Sequence, residues 1–237
     1  MSFLPVAPYL ILAGDIGNIN DNAQYSTFLQ ETCSKYRRVL LVPGNHEAYH
    51  MSRPAAQEAA VRLGDELGDR FVWMDKLRVD IHNGATIILG CTLYSHIPNK
   101  EALSCIEASG VKDFGRIGEW SWEQHNAEHA TDTLWLRQQL AFISEKQPDS
   151  RVIIVTHFPP TWDMTSANSR LHGDKRYFFG SDVLDRFLYW PGAHLVTHWV
   201  FGHTHWNTTF RHGSTTFVSN HRQDQSSSRK FDPEATI

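Results

Sequence analysis

Apolar and polar positions along the chain fall into two textures. Tyr9-Leu10-Ile11-Leu12-Ala13, Val39-Leu40-Leu41-Val42, Val152-Ile153-Ile154-Val155-Thr156 and His198-Trp199-Val200-Phe201 are short runs without polar-apolar alternation, which predicts strands buried on both faces. Between the first two runs, Tyr25, Phe28, Leu29 and Cys33 recur at helical spacing and predict a helix over residues 23–36. An Ala- and Glu-rich stretch predicts a second helix over residues 53–67. That β-α-β-α order implies parallel strands joined by crossover helices.

The texture shortens after Gly68. Residues 71–74, 77–81 and 86–91 read as short strands, with Asn83-Gly84 as a hairpin turn between the last two. Asp80 and His82 flank that turn and read as surface strand. Residues 99–147 read as an insertion followed by a helix: 113–117 and 120–122 are Gly- and aromatic-rich and loop-like, and 123–143 is helical with Leu134, Trp135, Leu140 and Ile143 facing inward. His125 and His129, four apart, could share a metal, but with no third ligand nearby they read as a partly exposed face. Residues 161–176 form a long polar loop of the kind that binds ligands, followed by a helix near 181–189, and 215–220 is a last strand before a Gln- and Ser-rich stretch, 223–228. No repeat or boundary divides the chain, so 1–237 reads as one domain.

Composition narrows the class. At 237 residues and 41% hydrophobic the chain can fill one large α/β core. A net charge of -4 with mixed signs leaves no footprint for nucleic acid or an anionic membrane. Three scattered cysteines make no disulfide framework and fit a reducing, cytoplasmic setting, with Cys91 a small buried hydrophobe. No basic leader precedes an apolar core at the N-terminus, and no apolar run approaches the roughly 18 residues of a membrane span. The oligomeric state stays open.

The chemistry lies where the strands stop. The first run ends at Gly14-Asp15, the second at Pro43-Gly44-Asn45-His46, the third at His157, and the fourth at Gly202-His203-Thr204-His205. Open α/β sheets place ligands at the C-terminal ends of their strands. Carboxylate, amide and imidazole without thiolate suit a divalent metal such as Mn, Fe or Zn.

Gly14-Asp15-x-x-Asn18, Gly44-Asn45-His46-Glu47, Thr156-His157 and Gly202-His203-Thr204-His205, in that order over nearly the whole chain, resemble the calcineurin-like metallophosphoesterases. The resemblance implies a four-layer αββα sandwich, an α/β fold, with one or two divalent ions per chain at the strand ends and a phosphate ester, small or macromolecular, as substrate. By that resemblance Asp15 bridges two metals, Asn45, His157 and His203 complete the second site, and His205 belongs to the first. His46 then stands beside the metals as the group that contacts the phosphoryl oxygen or protonates the leaving oxygen. The chemistry is coherent: paired cations clamp the ester oxygens and activate water, a carboxylate can bridge them, and a neutral amide keeps the site cationic.

One departure from that pattern matters. The family's first motif, Asp-x-His on an earlier strand, has no counterpart among the 13 residues before Gly14. The first metal then keeps only Asp15 and His205, and a neighbouring strand is left with an unpaired edge. His82, His96, His125 and His129 are nominal substitutes. The alternative is a degenerate or truncated member that binds a metal or a phosphorylated ligand without efficient hydrolysis. Arg116, Trp162, Arg170 and His172 are the expected substrate selectors, and Ser219-Asn220-His221-Arg222 a stretch that lines the site.

Overall fold

Each unbroken apolar run becomes a strand whose alternate side chains enter different layers. A computed structural model describes residues 5–163, 166–167, 173–222 and 230–237. In chain order β1 (Tyr9–Leu12), α1 (Asn22–Cys33), β2 (Arg38–Leu41), α2 (Arg53–Leu67) and β3 (Phe71–Trp73) form a parallel sheet, β1-β2-β3, with its helices. β4 (Leu77–Ile81) and β5 (Thr86–Cys91) then make an antiparallel hairpin through a turn at His82–Gly84. The hairpin opens a second sheet. After α3 (Lys100–Ala108), α4 (Asp113–Arg116) and α5 (Trp122–Lys146) come β6 (Arg151–Thr156), α6 (Val183–Phe187), β7 (Val196–Val200), β8 (Thr208–His212) and β9 (Thr215–Ser219). This sheet has the order β4-β5-β6-β7-β9-β8, parallel from β5 to β9 and antiparallel at both ends.

Val39 and Leu41 of β2 pack on Tyr25, Leu29 and Cys33 of α1 and on Ala56, Ala60 and Leu63 of α2. Leu40 and Val42 face the other way, onto Met74, Ile88, Ile153 and Val155 between the two sheets. On the far side, Ile87, Leu89, Cys91, Val152 and Ile154 pack on Leu136, Leu140 and Ile143 of α5 and on Val183 and Phe187 of α6. The layers therefore run helix, sheet, sheet, helix. Each fully buried Leu or Ile contributes about 1.5–3 kcal/mol of transfer free energy, which is why period-2 burial on both faces outweighs the low helical content of these runs. β1 lies at a sheet edge and is half-buried along its length.

Local signals set several boundaries. Ser52 caps α2, accepting from the Ala55 N–H at 3.4 Å with Pro54 in the first turn. Ser121 and Gln124 form a reciprocal capping box that starts α5. Some expectations need correction. α1 ends at Cys33 rather than at residue 36, and α6 spans only Val183–Phe187. Leu134 is exposed, and Leu136 takes the inward place. The stretch 113–117 is not wholly loop but carries α4, and α3 and β8 are elements the apolar pattern did not signal. Of the long loop, 173–178 is a 3-10 turn; Arg170, His172 and the 223–228 stretch lie outside the described residues.

Candidate metal centre

Four strand ends bring their turns together at one edge of the sandwich. Gly14 has φ +83°, and a Cβ there would collide with His157 Nδ1, while a Cβ on Gly44 would collide with Asp15 Oδ1. Only glycine lets the backbones approach this closely. Asp15 (φ 57°) and His203 (φ 67°) hold left-handed conformations that cost a side-chain-bearing residue about 1–3 kcal/mol, strain of a kind that gathers at functional sites.

The turns after β1 and β2 are tied reciprocally. The His46 N–H donates to Asp15 Oδ1 at 3.0 Å. In return Glu47 accepts from the Asp15 N–H at 2.9 Å, the Ile16 N–H at 2.8 Å and the Gly44 N–H at 2.7 Å. Tyr25 adds its hydroxyl at 3.4 Å. Glu47 is buried; burial and the Asp15 charge push its carboxyl up to about 7, against the pull of His157 and the backbone N–H groups.

Inside this frame the side chains converge on His157 Nε2. Asn45 Oδ1 lies 3.0 Å from it, Asp15 Oδ2 3.3 Å and His203 Nδ1 3.3 Å. The other ring nitrogen, Nδ1, donates to the Ala13 carbonyl at 2.7 Å, because a carbonyl can only accept. In the neutral ring Nε2 is then a lone pair facing other lone pairs, an arrangement that a proton or a cation must hold together. Burial opposes charge on His157, yet the adjacent Asp15 carboxylate raises its basicity above the usual imidazole range. Burial would raise Asp15, but His157, His46 and His203 outweigh it and hold the carboxyl well below the usual range. Burial among aromatic rings, with the Phe158 ring centre at 3.8 Å, and the neighbouring His157 keep His203 neutral, and its Nε2 has no hydrogen-bond partner among the described residues.

Carboxylate, amide oxygen and two neutral imidazoles with a common focus fit a divalent cation. The bond from His157 Nδ1 to a backbone carbonyl is the support that metal-bound histidines usually have. Asp15, His157 and His203 hold ligand atoms within 4.8 Å of one another, the one such group of three acidic, His or Cys residues found among the described residues.

Of the residues expected at the site, Asp15, Asn45, His157 and His203 thus come together. His46 stands at the open side with Nε2 3.8 Å from Asp15 Oδ2 and its ring stacked on Tyr49 at 4.4 Å. His205 is exposed and lies outside the group, its ring 5.8 Å from that of His221. Arg116 lies over the Tyr49 ring at 5.3 Å, and Trp162 packs edge-on against Tyr177. His82 sits at the hairpin turn, and His96, His125 and His129 pack on one another or on aromatic rings rather than entering the group. His125 and His129 are not partly exposed but buried, because α5 turns that face onto Tyr94, Phe158 and Phe178.

Two residues escaped sequence reasoning. Asp113 and Tyr49 are buried behind Asn45, the first donated to by Asn45 Nδ2 at 2.9 Å and by the Tyr49 hydroxyl at 2.7 Å. Burial raises Asp113 above the ordinary carboxylate value, while its bonds from Tyr49 and Asn45 act the other way. Tyr49 lies four residues from Asn45, a spacing that hints at it; Asp113, 68 residues away, carries no local signal.

Comparison with known proteins bears on the family and the fold. Residues 3–207 match the family model described as calcineurin-like phosphoesterase. The chain is 25% identical over 241 residues to the uncharacterized protein L509 of Acanthamoeba polyphaga mimivirus, covering 97% of this chain and 83% of the viral one. Its fold is similar to that of the phosphopantetheinyl hydrolase PptH of Mycobacterium tuberculosis, with a TM-score of 0.71 at 17% identity, over 92% of this chain and 80% of that one. It is also similar to a dimetal phosphatase of Danio rerio, with a TM-score of 0.54 at 15% identity, over 90% of this chain and 72% of that one. With a family model matched over most of its length, this chain belongs to the calcineurin-like phosphoesterase family.

Proposed function

We propose that the chain is a metal-dependent phosphoric ester hydrolase, a single domain over 1–237, acting on a phosphate mono- or diester with a small or macromolecular leaving group. The observation that carries this reading is the convergence of Asp15 Oδ2, Asn45 Oδ1 and His203 Nδ1 on His157 Nε2 at 3.0–3.3 Å. These four side chains would hold a divalent ion such as Mn, Fe or Zn, which would supply positive charge against the phosphoryl oxygens and lower the pKa of a water. Asp15 gives the centre its one negative ligand, and Asn45 adds a neutral oxygen, so the pocket stays cationic toward an anionic ester. His157 is kept in the ligating tautomer by Ala13. His46, braced on Tyr49 and half-exposed, presents its ring from the solvent side, where it can protonate the leaving oxygen or steady a phosphoryl oxygen. Arg116, over the Tyr49 ring on which His46 stacks, is the candidate contact for the leaving group.

The assembled donors make one site. His205 would serve a second ion through Asp15 only with further donors, so the reading commits to one firmly held ion per chain. The free cysteines Cys33, Cys91 and Cys105 fit a cytoplasmic setting, and no described helix is long and apolar enough to cross a membrane.

The test pairs metal content with turnover. Protein loaded with Mn2+ and desalted should retain one ion by elemental analysis and hydrolyse an aryl phosphodiester. His46→Ala should keep the ion and lose roughly 10²–10⁴-fold in rate, the usual worth of a placed proton donor. Retained metal and saturable phosphate binding without any turnover in the wild type would instead identify a binding module, a reading that the lone assembled site also supports.

A further inference from the structure

Asn45 presents a problem of orientation that its own position does not solve. An amide offers one oxygen and one NH2 on nearly identical shapes, and only the oxygen can ligate a cation. Rotated by half a turn, the same residue would aim two N–H donors into the pocket and repel the ion. Nothing on the pocket side prevents this, since His157 Nε2 would accept from an NH2 as readily as it would share a cation with the oxygen.

The decision is made behind Asn45. Asp113 Oδ1 lies 2.9 Å from Asn45 Nδ2 and 2.7 Å from the Tyr49 hydroxyl, which donates to it. A carboxylate can only accept, and the Tyr49 proton is already committed to it, so the face of Asn45 toward this pair must be the NH2. Tyr49 Oη, 3.4 Å from Nδ2, is a further acceptor on the same side. Asn45 and Asp113 are 2% and 1% exposed, so water cannot stand in for the carboxylate.

The placement of Asp113 is built rather than incidental. α4 is strapped onto the segment that follows Asn45: the His50 N–H donates to the Arg116 carbonyl at 2.6 Å and the Gly118 N–H to the Met51 carbonyl at 2.9 Å, with a bridge between Ser52 and Gly118. Arg116 covers the Tyr49 ring from outside. The insertion between β5 and β6 thus reaches back to the turn after β2 and delivers one carboxylate to one amide. Among the described residues Asp113 Oδ2 has no hydrogen-bond partner, and the bonds that hold this buried carboxylate run through Oδ1.

We propose that Asp113, supported by Tyr49, is a positioning residue that fixes the Asn45 amide with Oδ1 toward the cation pocket and strengthens that oxygen as a ligand. Hydrogen bonding of the NH2 to a carboxylate draws electron density onto the amide oxygen, as supporting carboxylates do for metal-bound histidines. The inference rests on the metal-centre reading above.

The experiment is a donor–acceptor swap read by Mn2+ affinity in equilibrium dialysis, with thermal unfolding as the control for folding. Asp113→Asn lets either face of Asn45 find a partner, and affinity should fall about 10–100-fold, the usual cost of losing a supporting group. In the double variant Asn45→Asp, Asp113→Asn, the amide introduced at position 113 donates to the carboxylate introduced at position 45, whose other oxygen faces the pocket. That swap should recover most of the lost affinity, since a carboxylate turns an oxygen toward the pocket whichever way it lies; measured against Asn45→Asp alone, which allows for the added charge, Asp113→Asn should cost little, whereas a merely structural Asp113 would cost the same factor in both backgrounds. Tyr49→Phe keeps the carboxylate and should weaken binding by a smaller factor; it carries the test if Asp113→Asn does not fold. Wild-type affinity in Asp113→Asn, the same loss from Asp113→Asn in both backgrounds, or, in the fallback, wild-type affinity in Tyr49→Phe, overturns the proposal while leaving the metal centre standing. A wild-type protein that binds no Mn2+ overturns both.

Discussion

Two pairs of buried histidines, one at the strand ends and one on a helix, show what separates a site from a core. His157 and His203 sit at strand ends and turn nitrogens toward each other and toward two oxygens at about 3 Å. His125 and His129 sit a turn apart on α5, the spacing a metal pair needs, yet each nitrogen that is engaged goes its own way. His125 Nε2 meets the Ser95 hydroxyl at 2.9 Å, and His129 Nδ1 meets the Tyr94 carbonyl at 2.6 Å. Both pairs are almost fully buried, so burial does not distinguish them. Convergence does: acceptors aimed at a common point need a cation or a proton, whereas a ring nitrogen that accepts from a hydroxyl or donates to a carbonyl, each on its own, needs neither.

The sharpest way to break this contrast is to remove one histidine from each pair. His157→Ala takes away the atom on which the other three donors focus, and its Mn2+ affinity should fall by more than the roughly 100-fold expected for losing a supporting group. His129→Gln, which keeps a hydrogen bond to the Tyr94 carbonyl within reach, should retain Mn2+ as the wild type does. Equal losses in the two variants, measured by equilibrium dialysis, would erase the distinction.

Much of the strand-end pair was legible in the sequence, and little of the helix pair was. β2 and β6 are readable because buried strands of a sandwich need apolar residues on both faces, and the turns after them because Gly14 and Gly44 are required by close backbone approach. Asp15, Asn45, His157 and His203 follow from those turns. The burial of His125 and His129 does not, since it depends on Phe158 and Phe178, which arrive from 29 or more residues further along. Asp113 is hidden for the same reason: its partner is distant, and a Gly- and aromatic-containing stretch gives no period by which to place it. Leu134 misleads because α5 is weakly amphipathic, with buried His and Asp on its inner face and apolar residues outside.

A smaller effect is expected from the frame that holds the converging pair. Glu47 meets only donors: three short backbone N–H bonds, a longer one from the Gly17 N–H and a longer tyrosine hydroxyl. Glu47→Gln replaces one accepting oxygen with an NH2 that has no acceptor to face, leaving buried donors against donors. The loss should be about 2–3 kcal/mol of unfolding free energy in urea, the range for a hydrogen bond to a charged group lost in a buried place. Mn2+ binding should weaken with it, because the two turns would no longer be held together. No change in the unfolding midpoint would show that Glu47 is already protonated and partnered differently.

The smallest effect per step of the measurement is expected in acid, and it bears on the helix pair. Burial, with His129 adding to it, lowers His125 from 6.5 to about 3, and burial lowers His129 to about 4. Below pH 6.5 the unfolded chain therefore takes up protons that the folded chain refuses, so these two groups withdraw stability as pH falls. Each contributes a slope of roughly 1–1.5 kcal/mol per pH unit. Buried carboxyls oppose them, Asp113 among them. Glu47, raised to about 7 by burial and Asp15, and Asp132, raised to about 6 by burial against the pull of Lys76, bind protons in the folded state first and add stability as pH falls through the same range. Other shifted groups, His203, His157, Asp15 and Asp113 among them, add to the wild-type profile, so the informative quantity is a difference. Replacing His125 by Phe together with Ser95→Ala, so that no hydroxyl is left unpartnered, removes one descending slope and nothing else in the balance. The variant should therefore gain on the wild type by roughly 1–1.5 kcal/mol for each unit of acidification from about pH 6.5 toward 4, in urea unfolding at fixed salt. A difference independent of pH would mean that His125 accepts a proton in the folded protein, and the boundary between core and site histidines would have to be drawn elsewhere.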